Sequence, residues 1–186
     1  MTALATIPTL ETDRLILRAP QLTDAESYIA FKASERSRFT EGPIDRTRAA
    51  RNFFSIAGQW VLRGYGLFMA LRKDGPNTPI GGFGIFHTLD QEEPEFGWTL
   101  YSADHEGQGF VTEAMRTVIP WAWTVLGTDT AQSHIDVGND ASVAVAKALG
   151  ATFDPDTTMK ANGPGGVFDD NGAFVNIWRH QKGALK

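Results

Sequence analysis

The sequence predicts a single-domain mixed α/β (α+β) fold, in which a twisted, mostly antiparallel sheet is flanked by helices. Three observations predict it. The 186 residues contain no spacer or break in composition, so one core is expected to serve residues 1–186, with its ordered part at about residues 10–180. Short runs alternate apolar and polar residues, whereas longer runs repeat apolar residues at helical spacing. Several strand-like runs are joined by connections too short for parallel neighbours.

The chain is expected to begin with a strand followed by two helices. Residues 14–19 alternate between apolar and polar side chains, as a half-buried strand does. Residues 23–26 are of the type that opens a helix. A longer helix is expected over residues 46–63, where apolar residues recur every three or four positions, and Gly64 closes it.

A meander of three strands follows, at residues 66–72, 80–89 and 95–101. The first connection is rich in proline, glycine and asparagine, and the second is an acidic turn. Because both connections are short, the three strands are expected to be antiparallel neighbours.

The second half is expected to contain two strand and helix units. A polar loop at residues 102–109 leads into a helix over residues 110–126, which Pro120 should kink or break. The remaining predicted elements are a strand at 130–137, a helix at 140–149 with Gly150 as its C-cap, a Gly/Pro-rich loop at 162–172 and a strand at 174–179.

Composition and charge exclude several classes of protein. Seventeen Lys and Arg against 22 Asp and Glu give a net charge of −5, and no basic run could track a phosphate backbone, so nucleic acid is not an expected partner. No stretch is apolar enough for a bilayer, and residues 1–10 lack the features of a signal peptide, so we expect a cytoplasmic protein without a membrane partner. The absence of cysteine excludes disulfides, thiolate metal sites and a cysteine acyl-enzyme.

Two glycines mark a candidate anion site. Gly107 and Gly109 lie just before a predicted helix that follows a predicted strand. Glycine allows positive φ and close approach of the backbone, and a helix N-terminus offers unpaired N–H groups with a partial positive charge. A pyrophosphate suits such a loop; the alternative is an ordinary glycine-rich turn into a helix.

Three motifs carry a family resemblance. They are Gly-Gln-Gly-Phe-Val-Thr-Glu-Ala at 107–114, Asn-Asp-Ala-Ser at 139–142 and Lys-Ala-Leu-Gly-Ala at 147–151. Their order resembles the GNAT acetyltransferases, particularly the branch that contains ribosomal-protein N-terminal acetyltransferases. Residues 11–18 and 95–100 also look like that branch. The resemblance implies an N-acetyltransferase that moves an acetyl group from acetyl-CoA to a primary amine by direct attack in a ternary complex.

The resemblance also implies where acetyl-CoA lies. Two neighbouring strands would splay apart to form an acyl-CoA cleft, with pantetheine beside the strand at 95–100 and the pyrophosphate on the amides of 107–112. Two residues depart from the family pattern. Glu106 stands where the family often has Gln or Arg, and Val111 stands where it often has Gly or Ala. These departures are expected to affect the affinity for CoA. The cofactor-binding residues implied are Phe96, Gly97, Trp98, Gly107, Gln108, Gly109, Phe110, Val111, Thr112 and Asn139.

The catalytic residues implied are Glu95 and Ser142. An amine must lose a proton before it attacks a thioester, and Glu95 matches a strand glutamate of the family that would act as the general base. The alternative is a salt-bridged or solvated carboxylate. Ser142 matches a serine placed near the CoA sulfur, where it could protonate the leaving thiolate; the alternative is a simple helix cap.

Two further residues are assigned supporting roles. Gly97 predicts a bulge that turns the amide of Trp98 toward the thioester oxygen, whereas the alternative is tight packing of a neighbour against the missing side chain. Asn139 is expected to cap the helix that begins at residue 140, and also to contact pantetheine.

The histidines show no metal-ligand spacing, so no metal is expected. Among the histidines, only His87 is a candidate to be tested for binding or deprotonating the amine. The four histidines are His87, His105, His134 and His180.

Other functions and the acceptor itself stay open. A non-catalytic acyl-CoA-binding module is the alternative function, favoured by Glu106 and Val111, and a nucleotide site ranks behind it because no phosphate-loop motif is present. The acceptor amine, a protein N-terminus or a small molecule, would sit between segments 39–43, 87–94 and 162–174, whose shapes the sequence does not define. A homodimer is implied only by family analogy.

Overall fold

The structure is a computed structural model that describes residues 7–89, 91–169 and 172–185. Residues 1–6, on which the expectation of no signal peptide partly rests, lie outside the described residues. The strands are β1 (Leu10–Glu11), β2 (Leu15–Arg18), β3 (Leu67–Arg72), β4 (Gly81–Phe86), β5 (Glu95–Leu100), β6 (Thr130–Asp136), β7 (Thr152–Phe153) and β8 (Val175–Gln181). The helices are α1 (Ala25–Lys32), α2 (Arg46–Arg63), α3 (Phe110–Leu126), α4 (Asp140–Ala148) and α5 (Pro155–Asn162).

All eight strands join one sheet in the order β1-β2-β3-β4-β5-β6-β8-β7. Every neighbouring pair is antiparallel except β5 and β6, which are parallel. The predicted mixed fold with a mostly antiparallel sheet and a β3-β4-β5 meander is therefore confirmed. The one parallel pair divides the sheet into two halves, and it is the place where a ligand can enter between strands.

Helices cover both faces of the sheet, which explains why β3 is apolar along its whole length. Phe68 and Ala70 of β3 belong to the main core, together with the buried face of α3. Met69 and Leu71 point to the other face, where Tyr28 of α1 and residues of α2 cover them. The α1 and α2 side of the sheet is the side on which the cavity described below opens.

Several elements differ from those that the sequence predicts. The short strands β1 and β7 were not predicted, and β8 continues to Gln181 rather than ending at residue 179. β4 ends at Phe86 rather than at residue 89. Helix α3 runs without interruption through Pro120, so the predicted break is wrong; buried neighbours such as Ile119 and Trp123 hold this segment in place where the proline lacks its amide. Helix α5 was not predicted, although Asp154 caps it and a proline opens it, which are ordinary start signals.

Gly84 of β4 is required by a close approach of the neighbouring strand. Its φ is +154°, and a Cβ there would lie 2.4 Å from the carbonyl oxygen of Gly66. We expect Gly84→Ala to lower the free energy of unfolding by about 1–3 kcal/mol, because a backbone atom cannot move aside as a side chain can. Urea unfolding measures this. Gly97→Ala is the matched control, since its new methyl would meet only Leu67 Cδ2 at 3.9 Å; equal losses in both variants would contradict the explanation.

Candidate active site

The site lies where β5 and β6 separate. Among the described residues their ladder contains one pairing, Glu95 with Gln132, beside the bond from the Gln132 amide to the Pro94 carbonyl at 2.9 Å. One residue further on, a side chain replaces the backbone link: Ser133 Oγ donates to the Phe96 carbonyl at 2.7 Å. Beyond that point the strands diverge, and the predicted splayed cleft is confirmed.

A cavity of about 490 Å³ occupies the gap and extends under α1 and α2. Aromatic side chains dominate its walls, and acidic and basic groups stand among them. Of the three segments expected to form the acceptor pocket, the first contributes Phe39 and the third contributes Phe168, whereas no described residue of 87–94 lines the cavity. That expectation was wrong because Gln91 folds back onto Glu95 instead. The wall residues used below are Glu95, Phe96, Gly97, Trp98, His134, Asp136, Asn139, Ser142 and Phe168.

Glu95 does not stand alone in this cavity. Its Oε2 lies 3.1 Å from Nδ1 of His134, and the two side chains are only 18% and 14% exposed. The same oxygen accepts a hydrogen bond from Gln91 Nε2 at 3.0 Å. Burial disfavours the charged form of His134, but the charge of Glu95 and the hydrogen bond to it outweigh burial, so the pKa of His134 is raised above its ordinary value.

Sequence reasoning missed His134. The two residues are 39 positions apart, and they meet only because residue 95 pairs with residue 132, which puts the even-numbered side chains of β6 on the face that carries Glu95. The sequence of β6 held a signal that could have been used, since residues 130, 132, 134 and 136 are all polar whereas 131 and 135 are apolar. In the structure the even-numbered residues are the less buried ones. The register of β6 against β5 depends on where the two strands separate, and the periodicity of the sequence does not reveal it.

The amide of Trp98 faces the gap without any bulge. The β4–β5 register is one-to-one through Gly97, so the predicted bulge is wrong. The amide of Tyr101, just after β5, donates to the carbonyl of Ile80, just before β4, so odd-numbered residues here direct their backbone groups toward β4. The Phe96 carbonyl accepts from Ser133 of β6, so even-numbered residues of β5 direct their backbone groups toward β6. Divergence of the strands, rather than an inserted residue, leaves the Trp98 N–H without a strand partner. A Cβ on Gly97 would meet little, so the tight-packing alternative is also wrong.

Ser142 faces β5 across the gap. Its Oγ accepts a hydrogen bond from Trp98 Nε1 at 3.3 Å, which leaves its own proton available to another acceptor. The capping role belongs to Asn139, whose Oδ1 accepts from the Ser142 amide at 3.3 Å, as predicted for Asn139. Both residues line the cavity, so α4 brings a hydroxyl to the edge of the cleft.

The glycine loop forms the N-terminus of α3. Gly107 and Gly109 have φ values of +69° and +76°, a conformation that favours glycine. The first intrahelical bond runs from the Glu113 amide to the Gly109 carbonyl, so the amides of Phe110, Val111 and Thr112 have no partner inside the helix. These amides and the partial positive charge of the helix N-terminus are groups that can bind an anion.

The charge of Glu106 is compensated by a residue from another part of the chain. Arg36, in the turn after α1, donates to Glu106 Oε1 at 2.7 Å. Val111 packs against the main core. The two departures from the family pattern therefore bring neither an unpaired carboxylate nor a misplaced side chain to the loop.

Arg14 joins the N-terminal strand to the loop. It pairs with Glu113 and donates to the Gln108 carbonyl at 3.0 Å, while its guanidinium lies 4.3 Å from the centre of the Phe110 ring. The ring itself is buried, and it packs edge-on against the His105 ring of the loop at 6.1 Å between centroids. Beside this cluster is an open depression of about 860 Å³, formed by residues 11–14 and by Gly109, Thr112, Glu113, Arg116 and Thr117.

The remaining histidines lie elsewhere. His87 hydrogen-bonds to Tyr65 and to the Gln91 carbonyl and does not line the cavity, so the expectation that it meets the amine was wrong. Burial lowers the pKa of His180 to about 4, so its ring is neutral, and it bonds to Ser133. Within the described ranges, no group of His, Asp or Glu side chains could hold a metal ion, and no helix is long and apolar enough to cross a membrane.

The separation of β5 from β6 and the glycine loop at the N-terminus of α3 are features of an acyltransferase that binds acyl-CoA. The sequence matches the acetyltransferase (GNAT) domain over residues 14–152. The chain belongs to the GNAT acetyltransferase family, whose members are enzymes that use acetyl-CoA.

Individual relatives are consistent with this family assignment. The acetyltransferase from Agrobacterium tumefaciens str. C58 is 32% identical, with a TM-score of 0.80 over 95% of this chain and 96% of that one. The uncharacterized N-acetyltransferase p20 of Bacillus licheniformis is 26% identical over 145 residues, which cover 76% of this chain and 80% of p20. RimL, a ribosomal L7/L12 α-N-protein acetyltransferase solved with coenzyme A, is 17% identical with a TM-score of 0.68 over 96% and 98% of the chains, and it shares the fold alone.

Proposed function

We propose that this protein transfers an acetyl group from acetyl-CoA to a primary amine bound in the cavity beneath α1 and α2. The observation that carries the proposal is the placement of Glu95, with His134, in the same cavity as Ser142, at the gap between β5 and β6. A non-catalytic binding module needs the glycine loop but has no use for a buried carboxylate facing the acceptor space. The intact arrangement therefore favours an enzyme.

The chain offers a binding surface for each part of acetyl-CoA. The amides of Phe110, Val111 and Thr112 would hold the pyrophosphate, and the depression lined by Arg14 and Arg116 would take the nucleotide end. The pantetheine arm would lie in the gap, beside β5. When bound, acetyl-CoA supplies the acetyl group as a reactive thioester.

Each of three groups at the gap would act on a different atom of the reactants. Glu95 would take the proton that the amine loses, directly or through a water. The Trp98 amide, which has no strand partner, would donate to the thioester oxygen. Ser142 would donate its hydroxyl proton toward the sulfur. Glu95 and Trp98 lie three residues apart on β5, about 10 Å along the strand, so Glu95 would reach the attacking amine with the length of its side chain or through a water.

The acceptor is proposed only as a primary amine. Resemblance to the ribosomal-protein N-terminal acetyltransferase branch keeps a protein N-terminus among the candidates, together with amino acids, polyamines and aminoglycosides. Glu95 and Asp136 line the cavity and would attract an ammonium group. Burial raises the pKa of Asp136, so its negative charge is present only at a higher pH than for an exposed aspartate.

A thiol-release assay over a panel of amines tests the function. We expect CoA release from acetyl-CoA that depends on the added amine, with the acetylated amine identified by mass spectrometry. The panel contains peptides with free N-termini, amino acids, a polyamine and an aminoglycoside, and N-terminally blocked peptides are the control. Binding of acetyl-CoA without amine-dependent release for any member would overturn the enzyme in favour of the binding module.

A further inference from the structure

The hydrogen-bond network fixes which nitrogen of His134 carries a proton. Gln132 Nε2 donates to Glu93 Oε1 at 3.1 Å, and its own Oε1 faces His134 Nε2 at 3.1 Å. Glu93 only accepts, because Arg179 donates to both of its oxygens at 2.7 and 3.0 Å. Gln132 therefore presents its amide oxygen to His134, and Nε2 of His134 must be a donor.

That tautomer has a consequence at the other ring nitrogen. If His134 is neutral with its proton on Nε2, a lone pair on Nδ1 faces the carboxylate of Glu95 at 3.1 Å, and the two repel. The repulsion disappears only when one proton lies between Nδ1 and Oε2. Gln91 cannot supply it, because its amide already donates to Oε2 and its own oxygen accepts from the Thr88 amide at 2.8 Å.

We propose that Glu95 and His134 hold one proton between them, and that His134 is the positioning residue that makes Glu95 the acceptor of the amine's proton. The inference rests on the proposed function for the acceptor's role. Oε2 of Glu95 is occupied by His134 and Gln91, which leaves Oε1 for the amine. Before transfer the pair releases its proton to solvent. It then takes one proton from the amine: an N–H bond breaks and an O–H bond forms at Oε1. Exchange with solvent, in which Oε1 gives up this proton and one is taken up between Oε2 and Nδ1, returns the pair to its one-proton form.

The groups around His134 determine the pH at which this proton leaves. Glu95 faces it from β5, and Phe168 packs edge-on against the ring at 5.2 Å between centroids. Glu93 reaches it only through Gln132 and is paired with Arg179, which also pairs with Asp154, and Asp136 lies two residues further on the same strand face. The pKa of His134 is raised, so the shared proton is held below that pKa and leaves as the pH rises through it. The catalytic rate should therefore rise with pH through the same midpoint.

NMR of the histidine ring nitrogens tests the proton placement without any activity. His134→Gln identifies the signals of His134. In the wild type we expect Nδ1 to lose its proton at a pH above the ordinary histidine midpoint while Nε2 stays protonated. In Glu95→Gln the midpoint should fall below the ordinary value, because burial then acts without the carboxylate. His180, whose pKa is about 4, is the internal reference that stays neutral throughout.

Two results would overturn the proposal: loss of the proton from Nε2 of His134, or a titration midpoint of His134 that is the same in Glu95→Gln as in the wild type. Once an acceptor is found, the profile of kcat/KM against pH should lose its rising limb at the His134 midpoint in His134→Gln, while the limb from the amine itself remains. An unchanged profile would also overturn it. Failure of every amine to react would contradict the proposed function but would not affect the NMR result. Failure of the proposed function and failure of the proton placement are therefore distinguishable.

Discussion

Glu95→Gln is expected to lower kcat by about 10²–10⁴-fold while leaving the affinity for acetyl-CoA nearly unchanged. The amide is almost isosteric with the carboxylate, but it cannot take a proton from the amine. The proposed binding surfaces for CoA do not include the charge of Glu95: the pyrophosphate would lie on the amides at the N-terminus of α3, and the nucleotide end would lie in the depression beside Arg14. Thiol release under saturating acetyl-CoA measures kcat, and calorimetry measures the affinity.

A neighbouring glutamate provides the control for this variant. Glu92→Gln removes an exposed carboxylate whose contact is an ion pair with Lys160 at 3.6 Å, and we expect kcat to stay within about twofold of the wild type. If Glu95→Gln and Glu92→Gln behaved alike, Glu95 would not be the base. The chemistry would then depend on positioning and on water alone.

Gly109→Ala is expected to weaken binding of acetyl-CoA by about tenfold or more. Gly109 has φ of +76°, where an alanine costs about 1–2 kcal/mol, and a free-energy loss of 1.4 kcal/mol corresponds to a tenfold change in affinity. The loop can relieve this strain only by moving, and movement takes the amides of 110–112 out of place. The nearest atom to the new methyl would be Arg14 Nη2 at 3.7 Å, so a clash is not the cause.

The opposite end of the same helix supplies a matched variant. Gly127 ends α3 with φ of +67°, and nothing lies within 4 Å of a Cβ there. Gly127→Ala should therefore lower the free energy of unfolding by a similar amount and leave acetyl-CoA binding unchanged. Equal loss of affinity in both variants would mean that helix stability, rather than the anion site, controls binding.

Local signals in the sequence predicted most of the fold. Alternating runs and short turns predicted the meander, and the α3 loop with its two positive-φ glycines was predicted from Gly107 and Gly109 together with the helix that follows. The break at Pro120 was wrong because burial of Ile119 and Trp123 outweighs the lost hydrogen bond, and that burial is a tertiary property. Local propensity holds no information about it.

The site was predicted only where each residue acts within its own segment. Asn139 caps α4 as expected, because the capping bond spans three residues. The contacts between Glu95 and His134, Arg36 and Glu106, and Trp98 and Ser142 join segments 39 to 70 positions apart. Their geometry depends on strand register and on where β5 and β6 separate, which periodicity alone does not set.

The most direct test of the central claim is to map the backbone amide NMR shifts while acetyl-CoA is added to the protein. Placement of acetyl-CoA in the gap between β5 and β6, with its pyrophosphate on α3, predicts the largest changes at the amides of residues 107–112 and at Trp98. Smaller changes should follow along β6 near His134. No change on titration, or changes confined to surfaces away from the α3 N-terminus and the gap, would contradict the account.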